Sequence, residues 1–161
     1  NGFKRANLII ITKCPNNLTS FQKEKIIKKI KPLNHQRIFF SKIIYEDILN
    51  GKKNIHISDL DSDFTLITGI ADSRPLTRYL KLKKLKFNHL SYNDHYNYNQ
   101  NDIKQILKYS GNKKILTTKK DYFKIMTIYD FNNLFYIDIK IDFFGESNNL
   151  VNQISNKLNL N

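Results

Sequence analysis

An aspartate and a histidine stand side by side at Asp94-His95, between the apolar run Phe87-Asn88-His89-Leu90 and the helix-opening pattern Asn99-Gln100-Asn101-Asp102. A carboxylate beside an imidazole in a strand-to-helix loop can tune the ring, bind phosphate oxygens or relay a proton near neutral pH. Tyr92, Asn93, Tyr96 and Tyr98 flank the pair with further polar groups. Two-residue acid-histidine matches are common by chance, so the weight of this one rests on its surroundings. Three other places carry suitable residue types: Thr12-Lys13, Thr68-Gly69, and Thr117-Thr118 followed by Asp121. Thr118 with an acid three residues on is a helix-capping pattern, and the same helix start can hold an anion. Gly69 suits a tight turn first and close approach to a ligand second. Lys13 either borders a nucleotide base or is a surface lysine at a strand end.

The elements around these residues alternate. Asn7 to Thr12 reads as a buried strand, a short continuous β-branched run ended by polar residues. Thr19 and Gln22 form a capping-box pattern for a helix with Ile26, Ile27, Ile30 and Leu33 on one face, and Ile38 to Ile44 is a second strand. Residues 45–63 are polar, contain the turn-like Asn50-Gly51 and end in the acidic Asp59-Leu60-Asp61-Ser62-Asp63, which predicts a linker or exposed β-hairpin. A second unit over 64–142 opens with the strand Phe64 to Thr68 and a turn at Gly69. Its first helix is capped by Ser73, has Pro75 in the first turn, and turns Leu76, Tyr79 and Leu80 inward. Next come the Phe87 strand, the Ile103/Ile106/Leu107 helix stopped near Gly111, the Ile115 strand, a helix from Lys119 and the strand Leu134 to Ile141. A last helix in 143–161 carries Leu150, Val151, Ile154 and Leu158 on one face. Single helices between strands predict an α/β fold: mostly parallel, Rossmann-like sheets with flanking helices, in two units. In such sheets ligands bind beyond the carboxyl ends of the strands, where all four candidate places fall.

Composition narrows the function. The formal net charge is +13 and the pI about 9.7, which invites a nucleic-acid reading. However, the excess is nearly all Lys, in pairs spread over the whole chain among Asn, Ile, Tyr and Phe, a composition that AT-rich codons produce. Solvated faces are therefore expected and a specific nucleic-acid surface is not, although a basic nucleic-acid-binding or non-catalytic scaffold domain is the competing reading. No apolar run approaches the roughly 20 residues needed to cross a bilayer. The single Cys14 rules out an intramolecular disulfide, and His35, His56, His89 and His95 lack close ligand spacing, so no metal site is expected. The chain begins Asn1-Gly2-Phe3 directly before a strand, and we expect an upstream portion to be missing.

In order, the chain shows Arg5-Ala6-Asn7-Leu8-Ile9-Ile10-Ile11-Thr12-Lys13-Cys14-Pro15, Thr68-Gly69-Ile70-Ala71-Asp72, Asn93-Asp94-His95-Tyr96 and Leu116-Thr117-Thr118-Lys119-Lys120-Asp121. This series resembles the C-terminal half of the lipid A 4′-kinase (tetraacyldisaccharide 4′-kinase) family, Bacteroidetes-like members especially. The family pattern runs approximately R-A-D-x-I-I-V-T-K-C-P, T-G-I-A-N-P, P-D-H-x and T-T-E-K-D. Asn7 stands here for Asp, Asp72-Ser73 for Asn-Pro, Asn93 for Pro and Lys119 for Glu. The resemblance implies a P-loop-kinase-related fold in which 1–44 is the C-terminal part of the nucleotide-binding domain. It implies ATP- and Mg²⁺-dependent phosphoryl transfer to the 4′-hydroxyl of the lipid A disaccharide precursor at the cytoplasmic face of the inner membrane. It implies His95 and Asp94 as catalytic, Thr12 and Lys13 as nucleotide-binding, and Gly69, Thr117, Thr118 and Asp121 as phosphate or helix-cap positions. Family members carry their phosphate loop, a catalytic Asp and a membrane-contacting segment upstream. No G-x-x-x-x-G-K-S/T occurs in these residues, so the chain alone is expected to be inert.

Overall fold

Strands and helices alternate along almost the whole chain in the computed structural model, which describes residues 2–60 and 62–158, with side chains through 155. The elements are α1 (Gly2–Arg5), β1 (Leu8–Ile11), α2 (Ser20–Ile30), β2 (Arg37–Phe40), β3 (Lys42–Asn50), β4 (Ile55–His56), a 3₁₀ turn (Ile57–Asp59), β5 (Phe64–Thr68), α3 (Arg74–Leu82), β6 (Phe87–Ser91), α4 (Gln100–Ser110), β7 (Ile115–Thr118), α5 (Lys119–Met126), β8 (Leu134–Asp142) and α6 (Ser147–Leu158). Two compact units emerge, Asn1–Ile44 with Lys140–Asn161, and Tyr45–Ile139. The division differs from the sequence expectation at both ends of the larger unit. Residues 45–63 are no separate linker: β3 and β4 pair antiparallel as a hairpin within the larger unit, and residues from Lys140 onward group with the smaller one. Asp61 of the acidic stretch and the Leu158 side chain lie outside the described residues.

In the smaller unit β1 pairs parallel with β2, Leu8 opposite Arg37 through Ile11 opposite Phe40. The single strand expected over Ile38 to Ile44 is broken at Ser41. Its N–H donates to the Ile11 carbonyl at 2.8 Å and its own carbonyl accepts from the Cys14 N–H at 2.9 Å, which ends the pairing with β1. Thr19 and Gln22 form a reciprocal capping box at the start of α2. β1 is less covered than its apolar run predicts, with Ile10 43% exposed. On α6 Leu150 is buried, whereas Val151 and Ile154 are exposed.

The larger unit is built on the sheet order β4-β3-β8-β7-β5-β6, in which β8, β7, β5 and β6 run parallel. Strand side chains alternate between its faces. Phe64 and Leu66 on β5, Leu116 on β7 and Phe135 and Ile137 on β8 pack with Leu76 and Leu80 of α3. Ile67, Ile115 and Leu134 pack with Ile103 and Ile106 of α4 and Tyr122 and Ile125 of α5 on the other face. Helices on both faces explain why these strands read as nearly continuous apolar runs. Leu107, expected on the inner face of α4, is instead partly exposed. Because α3 leads from β5 outward to β6 on one face while α5 leads from β7 outward to β8 on the other, the connections diverge between β5 and β7. That gap is the topological switch point of the sheet.

Candidate active site

The loops after β5, β6 and β7 meet at one edge of the larger unit, since these strands are parallel and in register from Thr65 opposite Ile115 and Asn88 onward. They bring together Gly69, Asp94, His95, Thr118 and Asp121. Thr12 and Lys13 belong to the smaller unit, exposed at the carboxyl end of β1, with Lys13 at a left-handed φ of 57°.

Asp94 and His95 occupy a constrained turn. His95 has φ 59°, a conformation uncommon outside glycine, and its N–H donates to Asp94 Oδ1 at 2.9 Å. Asp94 Oδ2 lies 3.6 Å from His95 Nε2, and Lys120 Nζ lies 3.4 Å from Oδ1. The imidazole is 80% exposed and the carboxylate 40%. Partial desolvation pushes the Asp94 carboxyl up, but the His95 N–H, the Lys120 ammonium and the His95 ring together hold it below the ordinary value.

The turn is held from behind by three tyrosines whose rings pack mutually, with centroids 4.7 Å (Tyr92 to Tyr96), 5.1 Å (Tyr92 to Tyr98) and 5.3 Å (Tyr96 to Tyr98) apart. The Tyr96 hydroxyl donates to the Asp102 carboxylate, which also completes the capping box with Asn99 at the start of α4. Lys124 Nζ donates to the Tyr96 carbonyl at 2.7 Å. Burial raises the pKa of all three phenols, followed by the charge of Asp102 for Tyr92, the hydrogen bond to Asp102 for Tyr96 and the charge of Asp121 for Tyr98, so they remain donors near neutral pH. Sequence reasoning missed Lys120 and Lys124. They stand four apart on α5, one turn beyond the Thr118 cap, and that spacing on a helix following a sheet strand is the signal that points them at a neighbouring loop.

Asp121 is fully buried at the switch point. Its Oδ2 accepts the Gly69 N–H at 2.9 Å and the Thr118 hydroxyl at 2.7 Å, while its own N–H donates to Thr118 Oγ1 at 3.2 Å. Thr118 therefore caps α5, but Asp121 reaches across to the β5 loop instead of back to the cap backbone. Thr117 is buried and donates its hydroxyl to the Ile67 carbonyl at 2.8 Å. Of the two roles expected for Gly69, Thr117, Thr118 and Asp121, the contacts seen are those of a helix cap: the Asp121 carboxylate lies at this helix start and takes the Gly69 N–H and the Thr118 hydroxyl. Gly69 lies in the loop directly after β5, and its φ is not left-handed. A Cβ there would stand 2.8 Å from Asp121 Oδ1 and 3.0 Å from the Tyr98 hydroxyl oxygen, so space demands the glycine. Ser73 occupies the N-cap of α3 without a side-chain bond; Asp72 Oδ1 accepts the Arg74 N–H at 3.0 Å instead.

Open space lies one strand over from the switch point. A groove of about 490 Å³ runs between the β5 and β6 loops, edged by Asp72, Ser73, Arg74, Ser91, Asn93 and Asp94. Its walls carry hydroxyls, an amide, carboxylates and a guanidinium, with Arg74 bound to both Asp72 oxygens at 2.7 and 2.9 Å. Such a surface suits a polyhydroxylated or phosphorylated ligand. Among the described residues no three His, Cys, Asp or Glu side chains gather as a metal site.

A family model described as tetraacyldisaccharide-1-P 4′-kinase (LpxK) matches residues 1–159. The tetraacyldisaccharide 4′-kinase of Flavobacterium johnsoniae is 32% identical over 92% of this chain and 44% of that protein. Its counterpart in Flavobacterium psychrophilum is 31% identical over 97% of this chain and 46% of that protein. The chain thus spans about half the length of the curated relatives it matches. The fold is shared with the crystal structure of LpxK from Aquifex aeolicus, described as the "apo" form in complex with ATP. The TM-score is 0.58, with 18% identity and coverage of 94% of this chain and 43% of that one. With the family model matched over nearly its whole length, this chain belongs to the tetraacyldisaccharide-1-P 4′-kinase family.

Proposed function

We propose that this chain supplies the acceptor side of a lipid kinase that moves the γ-phosphate of ATP to the 4′-hydroxyl of a tetraacyldisaccharide 1-phosphate, at the cytoplasmic face of the bacterial inner membrane. The observation that carries the reading is the Asp94-His95 turn beside an open polar groove in a chain matched to this family over residues 1–159. The groove receives the sugar, whose hydroxyls meet Ser91, Asn93 and Arg74. The exposed His95 ring, with Nε2 3.6 Å from Asp94 Oδ2, orients and tunes the group that accepts the hydroxyl proton. Lys120 helps keep Asp94 ionised beside the ring.

ATP and Mg²⁺ find only part of their donors here. The phosphate-cradle motif does not occur in the 161 residues and no carboxylate cluster forms among the described ones. ATP, when bound, supplies the phosphoryl group; Thr12 and Lys13 border its base in this reading. Contact with the membrane surface is attributed to a segment beyond these residues.

The test replaces the matching part of the Flavobacterium johnsoniae enzyme with this chain and assays phosphorylation of the disaccharide. The hybrid is expected to turn over, with Lys13→Ala acting chiefly on the KM for ATP, while the 161-residue chain alone does not. Magnesium-dependent turnover by the chain alone, or a hybrid that folds, binds ATP and stays inactive, would overturn the reading.

A further inference from the structure

The open space beside Asp94 continues past the loops. A second groove of about 530 Å³ runs on from it between α3 and β6, and Ser73 borders both. One wall is Ser73, Thr77 and Lys81, whose spacing of four sets them along one side of α3. The other is Ser91, His89 and Phe87, alternate residues on one face of β6. Leu85 and Lys86, in the turn between the two elements, close the far end. Because α3 runs back from the carboxyl edge of the sheet while β6 runs toward it, Ser73 and Ser91 mark one end and Lys81 and Phe87 the other. The helix wall rises about 12 Å from Ser73 to Lys81 and the strand wall about 13 Å from Phe87 to Ser91, which is room for two pyranose rings laid end to end.

Polarity changes along this trough. The first groove carries the acids Asp72 and Asp94; the second carries none and ends in the exposed ammonium groups of Lys81 and Lys86, which no ion pair engages among the described residues. Uncharged groups lie between. The Ser73 hydroxyl makes no cap bond, and the Thr77 hydroxyl donates to the Arg74 carbonyl at 3.1 Å but can still accept. His89 Nε2 lies 2.8 Å from Oγ1 of the buried Thr68, and burial pushes the imidazole below its ordinary value, so a neutral ring lines the middle of the trough. A carboxylate end, a hydroxyl and imidazole middle and an ammonium end fit a ligand with a reacting hydroxyl at one end, sugar hydroxyls along its length and a phosphate at the other. The matched family is described by a disaccharide that bears a phosphate at position 1.

We infer that the groove between α3 and β6 is the subsite for the anomeric phosphate of the acceptor, held by Lys81 and Lys86, with the reducing-end sugar between Thr77 and His89. The inference rests on the kinase reading and extends it: the two lysines make the site prefer an acceptor phosphorylated at position 1, and anchoring that end leaves the far 4′-hydroxyl beside Asp94 and His95. Each ammonium acts on the phosphate as a point charge, and no bond is made or broken at this end.

In the hybrid enzyme, the disaccharide 1-phosphate is compared with the same lipid lacking that phosphate. The unaltered hybrid is expected to favour the phosphorylated acceptor in kcat/KM by about tenfold, the yield of two exposed ion contacts. Lys81→Gln with Lys86→Gln should abolish the preference by raising the KM for the phosphorylated acceptor, with kcat and the KM for ATP unchanged. Lys104→Gln with Lys108→Gln, an equal loss of charge on α4, should leave the preference within about twofold. In a titration of the ¹⁵N-labelled 161-residue chain, glucosamine 1-phosphate should shift the amides of Thr77, Lys81, Lys86 and His89. Inorganic phosphate should do so more weakly, since it brings no sugar hydroxyls to Thr77 and His89. Far-UV circular dichroism checks that each variant is folded. The inference is overturned by a hybrid indifferent to the 1-phosphate, by a Lys81 and Lys86 variant that keeps the preference, or by sugar-phosphate shifts that are absent or fall elsewhere. A hybrid inactive on both acceptors would count against the kinase reading, and the titration would then decide the groove by itself.

Discussion

Two aspartates stand at the same edge of one parallel sheet in opposite surroundings. Asp94, after β6, is 40% exposed, beside an exposed imidazole and a lysine. Asp121, after β7, is wholly buried and accepts from Gly69 and Thr118. In a doubly wound sheet the crevice between β5 and β7 is the usual place for a ligand, yet here a carboxylate of the chain lies there. The one acid ties two loops together; the other stands where a substrate can reach it. The same residue type thus does architecture in one position and is available for chemistry in the other, and solvent access separates the two.

The sharpest way to break this contrast is His95→Ala in the hybrid enzyme. It should lower kcat about 10²–10⁴-fold with little change in the KM for ATP, because a group that tunes proton acceptance acts mainly in the transition state. Asp94→Asn should cost less, since the ring stays. Wild-type kcat in the His95 variant would reduce the histidine to an ordinary loop residue.

Asp121→Ala should appear in stability instead. Removing the acceptor leaves the buried Gly69 N–H and the Thr118 hydroxyl unsatisfied, at about 3 kcal/mol, which is roughly 6–10 °C in Tm. Thermal denaturation of the 161-residue chain measures this, and an unchanged Tm would show that the buried node ties nothing. Gly69→Ala is expected to cost about 1–3 kcal/mol in the same assay, as its Cβ must push aside Asp121 or Tyr98.

Lys119→Glu restores the residue type of the family pattern, and the structure shows what that reversal meets. Lys119 Nζ pairs with Asp138 at 2.7 Å and lies over the Tyr136 ring, so a glutamate here faces a carboxylate. The pair is exposed, and a fall of only about 2 °C in Tm is expected; a rise would mean that Asp138 does not compensate the swap.

The smallest effect concerns pH. The folded-state pKa of Asp94 is depressed, so its contribution to stability is present above the ordinary 3.8 and is lost as pH falls through the folded value. Denaturation midpoints of wild type and Asp94→Asn should therefore differ slightly near neutrality and converge in acid. Parallel curves down to about pH 2.5 would deny the carboxylate its neighbours' support.

Much of the architecture was legible because its signals are local. The Thr19 and Gln22 capping box, the Asn99 opening of α4, and the β-branched runs of β5 and β7 each follow from residues within one turn or one strand. The motif series likewise led to the family and to the α/β class. Ser41 illustrates a limit: nothing in the run from Ile38 to Ile44 marks the break, which arises from hydrogen bonds to Ile11 and Cys14, some 30 residues away in sequence.

What the sequence by itself determined was the alternation of elements, the family, and the carboxyl-edge location of Asp94-His95 and Thr118, because periodicity, capping and loop position are short-range consequences of residue type. Only the tertiary structure decided which candidate faces solvent and which is sealed. Sequence places Gly69 and Asp121 more than 50 residues apart, and only the parallel pairing of β5 with β7 brings them to 2.9 Å. Burial and satisfaction of a polar group depend on what packs around it, and that is a property of the assembled sheet and helices rather than of any stretch of chain.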